Sequence, residues 1–495
     1  MKKLLFALSL MSYLQINAQK EYIAYTATGK GVGSTFVTDY HCLGINPANL
    51  GWKTGSQRFT TGSSEVGLSI YSASLAKQDL RDNLWGVIRS GSMETLSDSD
   101  KIDAAMGFAD DFAFNFDYNF FGLSFQNEKF GGLAFSMRSR ATWASGLSED
   151  FSKLLFQGRR SAYFDSLQYF NGVDTVNIAN YQNMDPDSVQ NVTGGTASVP
   201  LQISQILGAD TYLRLSLCRE YHIGYGRKLI DLDSNFQLYA GVGAKYIEGI
   251  AMMDMGMNSA GNFEMFSAFS PSFNLDYDSS VAMTNPSAIA GSPNQIWRKP
   301  VGRGFGLDFG VNASLFKIIH LAASVTNIGS MKYTGNLYTA VDTLVVSYSQ
   351  DGIDNMNVAN SVGEMLEKNG LLRIQGESER KMILPATLRF GASAELGKFV
   401  HLGAEMVAPF NNAPGSINGF AWGLGSDIKV AQGKIIMMCG LTGGGGYDFQ
   451  IPLGVTFRLG NGAYECGIAS RDALTFFLKN SPTISAAFGF ARCRF

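Results

Sequence analysis

The residues most able to do chemistry are the four histidines, His41, His222, His320 and His401. His222, His320 and His401 each fall on the polar side of an alternating run, and none clusters in sequence with a serine and a carboxylate. A triad is recognised by geometry, so such groups could still meet in space. Structural histidines seated beside carboxylates are the stronger reading, and no catalytic residue is assigned. Asp308, between Gly306 and Gly310, reads as a wall carboxylate paired to an arginine in preference to a ligand or proton site. Gly29-Lys30-Gly31-Val32-Gly33 imitates a phosphate loop without the Gly-Lys-Ser/Thr ending or the strand–helix context. Cys42, Cys218, Cys439, Cys466 and Cys493 show neither metal-ligand spacing nor a compact disulfide framework. The chain is therefore read as no enzyme, with no cofactor and no metal.

The remaining charged residues are arranged to pair. Asn461-Gly462 is the preferred dipeptide of a two-residue type I′ hairpin turn. That turn sets Leu459 opposite Tyr464, and Arg458 opposite Glu465. Around Gly397 to Phe399, the parity of the polar face demands an odd loop, taken as three residues. Glu395 then faces His401, with Arg389 diagonal to Glu405. Arg389, Glu395, His401, Glu405, Arg458, Glu465 and Asp308 form the expected charge network of a polar interior.

The elements that must carry these residues are strands. Alternation is plainest in Phe305, Leu307, Phe309, Val311, Ala313 against Gly306, Asp308, Gly310, Asn312. It recurs from Leu384 to Leu396 and from Phe449 to Leu459. Successive strand side chains point to opposite faces, so each run has one apolar and one polar, Gly-rich face. The runs are longer than the roughly 5–6 residues usual in soluble sheets and suit a tilted strand crossing a bilayer. About fourteen runs are counted between 57 and 495, or sixteen if 262–277 contributes. Short connections alternate with long ones near 76–110, 146–210, 253–302 and 330–382. This is the asymmetry of a transmembrane antiparallel β-barrel, all-β in class, with short turns inside and long loops outside. Helical spacing at 80–88, and in parts of 97–106 and 358–368, places short helices in those loops.

Composition agrees. Charged residues are 16% of the 495, against roughly 25% in soluble domains, while glycine numbers 56 and aromatics reach 12%. Mean hydropathy is only +0.02, an average over two faces of one wall. Lys+Arg 39 against Asp+Glu 42 gives no basic excess for nucleic acid. Lys2, Lys3, the apolar run Leu4 to Leu14 and Ile16-Asn17-Ala18 read as a signal peptide over 1–18. The expected partners are outer-membrane lipid and, from the terminal Phe495, the barrel-assembly machinery. The expected location is the outer membrane of a Gram-negative cell.

Three stretches carry a resemblance. Gly31-Val32-Gly33 through Asn46-Pro47-Ala48-Asn49-Leu50 resembles the N-terminal region of FadL-type and PorV-type outer-membrane barrels. Gly304 to Gly310 with Ser324 to Gly329 resembles middle strands of the same superfamily. Tyr464 to Ile468 and Pro482 to Phe495 are similar to an uncharacterised Bacteroidota barrel family, a domain of unknown function. Asp165-Ser166-Leu167, Asp174-Thr175-Val176, Asp187-Ser188-Val189 and Asp342-Thr343-Leu344 resemble the short O-glycosylation motif of Bacteroidota. The resemblance implies that 19–56 plugs the lumen as a hatch, with Asn46, Pro47 and Ala48 as its motif, ahead of the barrel at 57–495. It implies passive transport of hydrophobic small molecules, with a ligand pocket beneath the outer loops involving Phe36, Phe263, Met265, Phe266 and Phe269. The alternative is a structural or secretion-associated barrel whose long loops bind exported proteins.

Overall fold

The computed structural model describes residues 24–52, 57–72, 101–102, 105–106, 109 and 111–495, the last range without 182–183, 185, 209–210, 233–234, 259–260, 276, 278, 293–296, 353–370, 418 and 474–481. The signal peptide and the helical spacings at 80–88 and 358–368 lie outside the described residues, as does most of 97–106.

Fourteen spanning strands form the wall: β1 Phe59–Ser72, β2 Phe112–Asn127, β3 Gly131–Gly146, β4 Tyr212–Leu232, β5 Phe236–Met257, β6 Gly302–Leu315, β7 Ile319–Tyr333, β8 Thr387–Leu396, β9 Val400–Pro409, β10 Ala421–Val430, β11 Ile435–Gly444, β12 Leu453–Leu459, β13 Tyr464–Ser470 and β14 Thr483–Arg494. Each pairs antiparallel with the next, and β1 pairs with β14 from Thr60↔Arg494 to Tyr71↔Thr483, which closes the barrel. Closure leaves the wall without a free edge. On β6, Phe305 (68% exposed), Leu307, Phe309 and Val311 look outward, while Asp308 and Asn312 are buried inward. The alternating β6 sequence thus builds an exposed apolar outer side and a lumen side from one strand.

The turns follow local chemistry. Phe316 and Lys317 both sit at positive φ in the β6–β7 turn. Asn461 and Gly462 do the same between β12 and β13, the geometry of a type I′ hairpin. Two sequence boundaries shift at prolines, which cannot donate to a ladder. The run 448–460 breaks at Pro452 into Tyr447–Gln450 and β12, and 383–396 begins as β8 only after Pro385. The stretch 262–277 yields Phe263–Phe269, which extends β5 on the loop side and makes no further span.

One irregularity crosses three adjacent strands. Ser64 on β1 (φ 57°) is passed over in the pairing to both neighbours, Phe120 is extra on β2, and β14 carries an added residue opposite Cys466. A bulge of one residue reverses which face the following side chains take. Phe488 and Phe490 can therefore look outward while Arg492 turns inward and is buried. On β1 the same reversal brings Glu65 into the lumen.

The loops form a second layer. A four-stranded sheet joins Ser166–Phe170, Thr175–Ala179, Val192–Thr196 and Ser347–Tyr348. The helix Glu149–Gln157, capped by the Ser148 hydroxyl accepting from the Phe151 N–H, buries Phe151 and Leu154 against Phe164, Ile203, Leu207 and Met253.

Candidate functional site

Residues 24–52 lie buried inside the barrel against the lumen side of the wall, and are termed the plug segment below. Their backbone is held by wall side chains. Glu405 on β9 accepts from the Gly33 N–H at 2.5 Å and the Ser34 N–H at 2.9 Å, while Arg389 on β8 donates to its other oxygen at 2.7 Å. Ser324 on β7 donates to the Ile45 carbonyl at 2.6 Å, and Asn46 donates to the Val311 carbonyl of β6 at 3.1 Å. Gln126 on β2 donates to the Leu50 carbonyl at 3.0 Å. Asn46 also caps the short turn at Pro47–Gly51, its side-chain oxygen accepting from the Ala48 N–H at 3.0 Å. Asn-Pro-Ala therefore presses Pro47 onto Gly226 and Gly241, where any Cβ would collide with it.

Plug charges complete the anchoring. Asp39 is bonded by Arg492 of β14, which also reaches Glu465 at 2.6 Å, and Arg458 reaches that same carboxylate at 2.5 Å. Lys30 pairs with Asp427 on β10 at 2.6 Å. Glu65 accepts from the Tyr40 hydroxyl at 2.8 Å and from Asn119 at 2.9 Å, and lies 2.8 Å from His41 Nε2. Buried charges without such partners would cost several kcal/mol each.

The sequence-derived residues divide into several groups. Arg458 stands opposite Glu465, and Glu395 opposite His401. The carboxylate of Glu395 nevertheless reaches His320 (3.7 Å), while His401 hydrogen-bonds Ser393 at 2.9 Å. No described carboxylate hydrogen-bonds His401, so this serine–histidine contact lacks the orienting group of a triad. Asp308 is not arginine-paired. Its partners are His222 (3.0 Å), Lys245 (3.2 Å) and the Asn327 N–H (2.7 Å), because the register sets Asp308 beside Gly243, where the lack of a side chain admits them. Lys245 and the bulge row were missed in the sequence. The parity break between Phe490 and Arg492 was the signal for the latter.

The five aromatic and methionine candidates do not share one pocket. Met265 and Phe269 are buried in the loop-side core with Phe263 against it, and Phe266 joins a separate cluster with Tyr333 and Leu337. Phe36 stands at the other end of the lumen, stacked on His401 with centroids 4.0 Å apart, because the plug carries it toward the short turns.

Two cavities open among the inward-facing side chains, the first of them edged by plug residues. On the turn side is a chamber of about 610 Å³, edged by Lys30, Phe36, Trp52, Lys429, Lys434 and Arg494. On the loop side is one of about 120 Å³. Its apolar wall is Ile247, Met252, Met331, Tyr333, Met382 and Leu384, and Arg140, Arg214 and Glu220 face them.

Residues 175–420 match the family described as "Family of unknown function (DUF5723)". Among curated proteins nothing matches. Among solved structures, the TodX deltaS2S3 mutant monoaromatic hydrocarbon channel is 11% identical, covering 95% of this chain and 97% of its own, with a TM-score of 0.45. The Pseudomonas putida toluene transporter TodX is 12% identical over 97% and 98%, with a TM-score of 0.41. A Pseudomonas aeruginosa FadL homologue is 11% identical over 97% and 98%, with a TM-score of 0.37. These likenesses are remote, and the chemistry has to come from the chain's own geometry. By sequence, then, this plugged barrel is similar over its middle half to a family whose function is not known.

Proposed function

We propose that the protein is an outer-membrane barrel that lets small hydrophobic molecules cross passively. The carrying observation is the loop-side cavity, set against the lumen side of β2–β5 and β7 and walled on one side by apolar side chains. Its 120 Å³ approaches the roughly 150 Å³ of an apolar cavity able to hold benzene. The ligand scale is thus about one aromatic ring. Apolar burial supplies the affinity, at roughly 25 cal/mol per Å², and a concentration gradient supplies the direction. The tightly anchored plug blocks an open water column, and onward movement requires part of it to yield.

Binding is tested with fluorobenzene titrated into the detergent-solubilised full chain and followed by ¹⁹F NMR. The expected result is saturable broadening that Met382→Trp abolishes by filling the cavity. Unsaturable partitioning, equal in both proteins, would refute the site. A stable stoichiometric protein partner on the loops, together with that negative result, would favour the secretion-linked reading.

A further inference from the structure

The outer surface of the wall carries charge where apolar residues are expected. Arg219 on β4, Glu248 on β5, Arg303 on β6 and Lys332 on β7 are successive cross-strand partners, and Lys381 of the short strand Arg380–Ile383 pairs with Lys332. They form one row across adjacent strands. Side chains in the next row toward the turns are Tyr221, Tyr246 and Phe305, with ring centroids 6.0 and 5.3 Å apart. Both rows take the outward parity, as the exposure of Phe305 and Leu307 on the same side of β6 shows, although Arg219 is buried beneath Trp297 and donates to the Arg298 carbonyl. Among the described residues, outward-facing charge at the loop-side end of spanning strands is confined to β4–β7.

Height places this row at a membrane boundary. From Phe305 to Leu315 the outward residues of β6 are all apolar. At barrel tilt those residues cover roughly 25 Å of bilayer normal, about the full apolar band. Arg303 is the next outward residue beyond that band, at headgroup level. Aromatics just below a charged row are the usual furniture of such an interface.

The charges do not cancel. Arg219 lies 3.3 Å from Glu248, and Lys332 lies 2.6 Å from Glu379. Arg303 and Lys381 are exposed and, among the described residues, have no ion-pair partner. Trp297 lies over the Arg219 guanidinium at 3.7 Å and is itself half exposed, fencing the row on its β4 side. Two unpaired cations above an aromatic shelf present donors to an anion whose attached chain runs down the apolar wall.

We infer that this row binds the phosphate-bearing headgroup of a lipid in the leaflet on the loop side. Arg303 and Lys381 receive the phosphate, Lys332 borders it, and the acyl chains lie on Phe305, Leu307 and Phe309. Guanidinium and ammonium donors both make charge-assisted bonds to phosphate oxygens. The inference rests on the membrane placement proposed above and is independent of what passes through the lumen.

The test is native mass spectrometry of the full chain, delipidated in detergent and offered bisphosphorylated lipid A, its dephosphorylated form, or inorganic phosphate. One bisphosphorylated lipid A per barrel is expected, with about tenfold weaker binding of the dephosphorylated lipid. Arg303→Gln with Lys381→Gln lowers the first affinity about tenfold while the folded-barrel mobility on electrophoresis is unchanged. Arg227→Gln, on the turn side of the outer wall, leaves it unaltered. Equal binding of both lipids, or by the double variant, would overturn the inference. Saturation by inorganic phosphate at comparable affinity would also overturn it, by making this a free-anion site.

Discussion

The hydroxyl of Tyr40, in the plug, donates to the carboxylate of Glu65, in the wall, at 2.8 Å. That bond exists because Ser64 is passed over in the pairing of β1, which turns Glu65 into the lumen. The ring of Tyr40 fits only because Gly62 and Gly122 offer no Cβ where it lies. Wall irregularity, wall glycine and plug aromatic therefore act as one device.

Removing the hydroxyl with Tyr40→Phe should cost about 1.5–3 kcal/mol, the range for a hydrogen bond to a charged group. Glu65→Ala should cost more, about 3–5 kcal/mol, since it strands the donors of Tyr40, Asn119 and His41 in a buried site. Urea unfolding of the reconstituted barrel measures both. Equal midpoints for the two variants would contradict the shared role of Glu65.

A side chain at Gly122 must displace the Tyr40 ring. Gly122→Val is expected to loosen the plug and raise ion conductance in planar bilayers above that of the parent chain. A variant as silent as the parent would mean that the plug is not held by this steric fit.

Asp308 is the sole described carboxylate within ion-pair distance of Lys245. Asp308→Asn should destabilise the barrel by about 3–5 kcal/mol by leaving a buried ammonium unpaired. Adding Lys245→Met should restore much of the loss, and a double-mutant cycle reads the coupling. Additive losses would show that the two residues act separately.

Much of the wall is written in its period-two pattern. The faces of β6, the Arg458–Glu465 pairing and the diagonal from Arg389 to Glu405 all follow from alternation plus turn length. Alternation says nothing about what enters the lumen. Asp39 and Arg492 are 453 residues apart and meet only because β14 closes the barrel beside the plug. Phe36 could not be placed from its type, since an aromatic suits either end of a lumen. The bulge row leaves a single trace, the clash of parity between Phe490 and Arg492. Lys245 lies among the glycines of β5, and its importance appears only when the register brings Asp308 beside it.

The central claim, passive hydrophobic passage through the loop-side cavity, is tested most directly by flux. Gram-negative cells lacking their own hydrophobic channels, and producing either the parent chain or Met382→Trp, are given a radiolabelled monoaromatic hydrocarbon, and initial uptake is measured. The account predicts faster uptake with the parent chain than with the empty vector, and a fall to the vector rate with Met382→Trp at equal barrel abundance. Uptake at the vector rate with the parent chain, or unchanged uptake with the filled cavity, would contradict it.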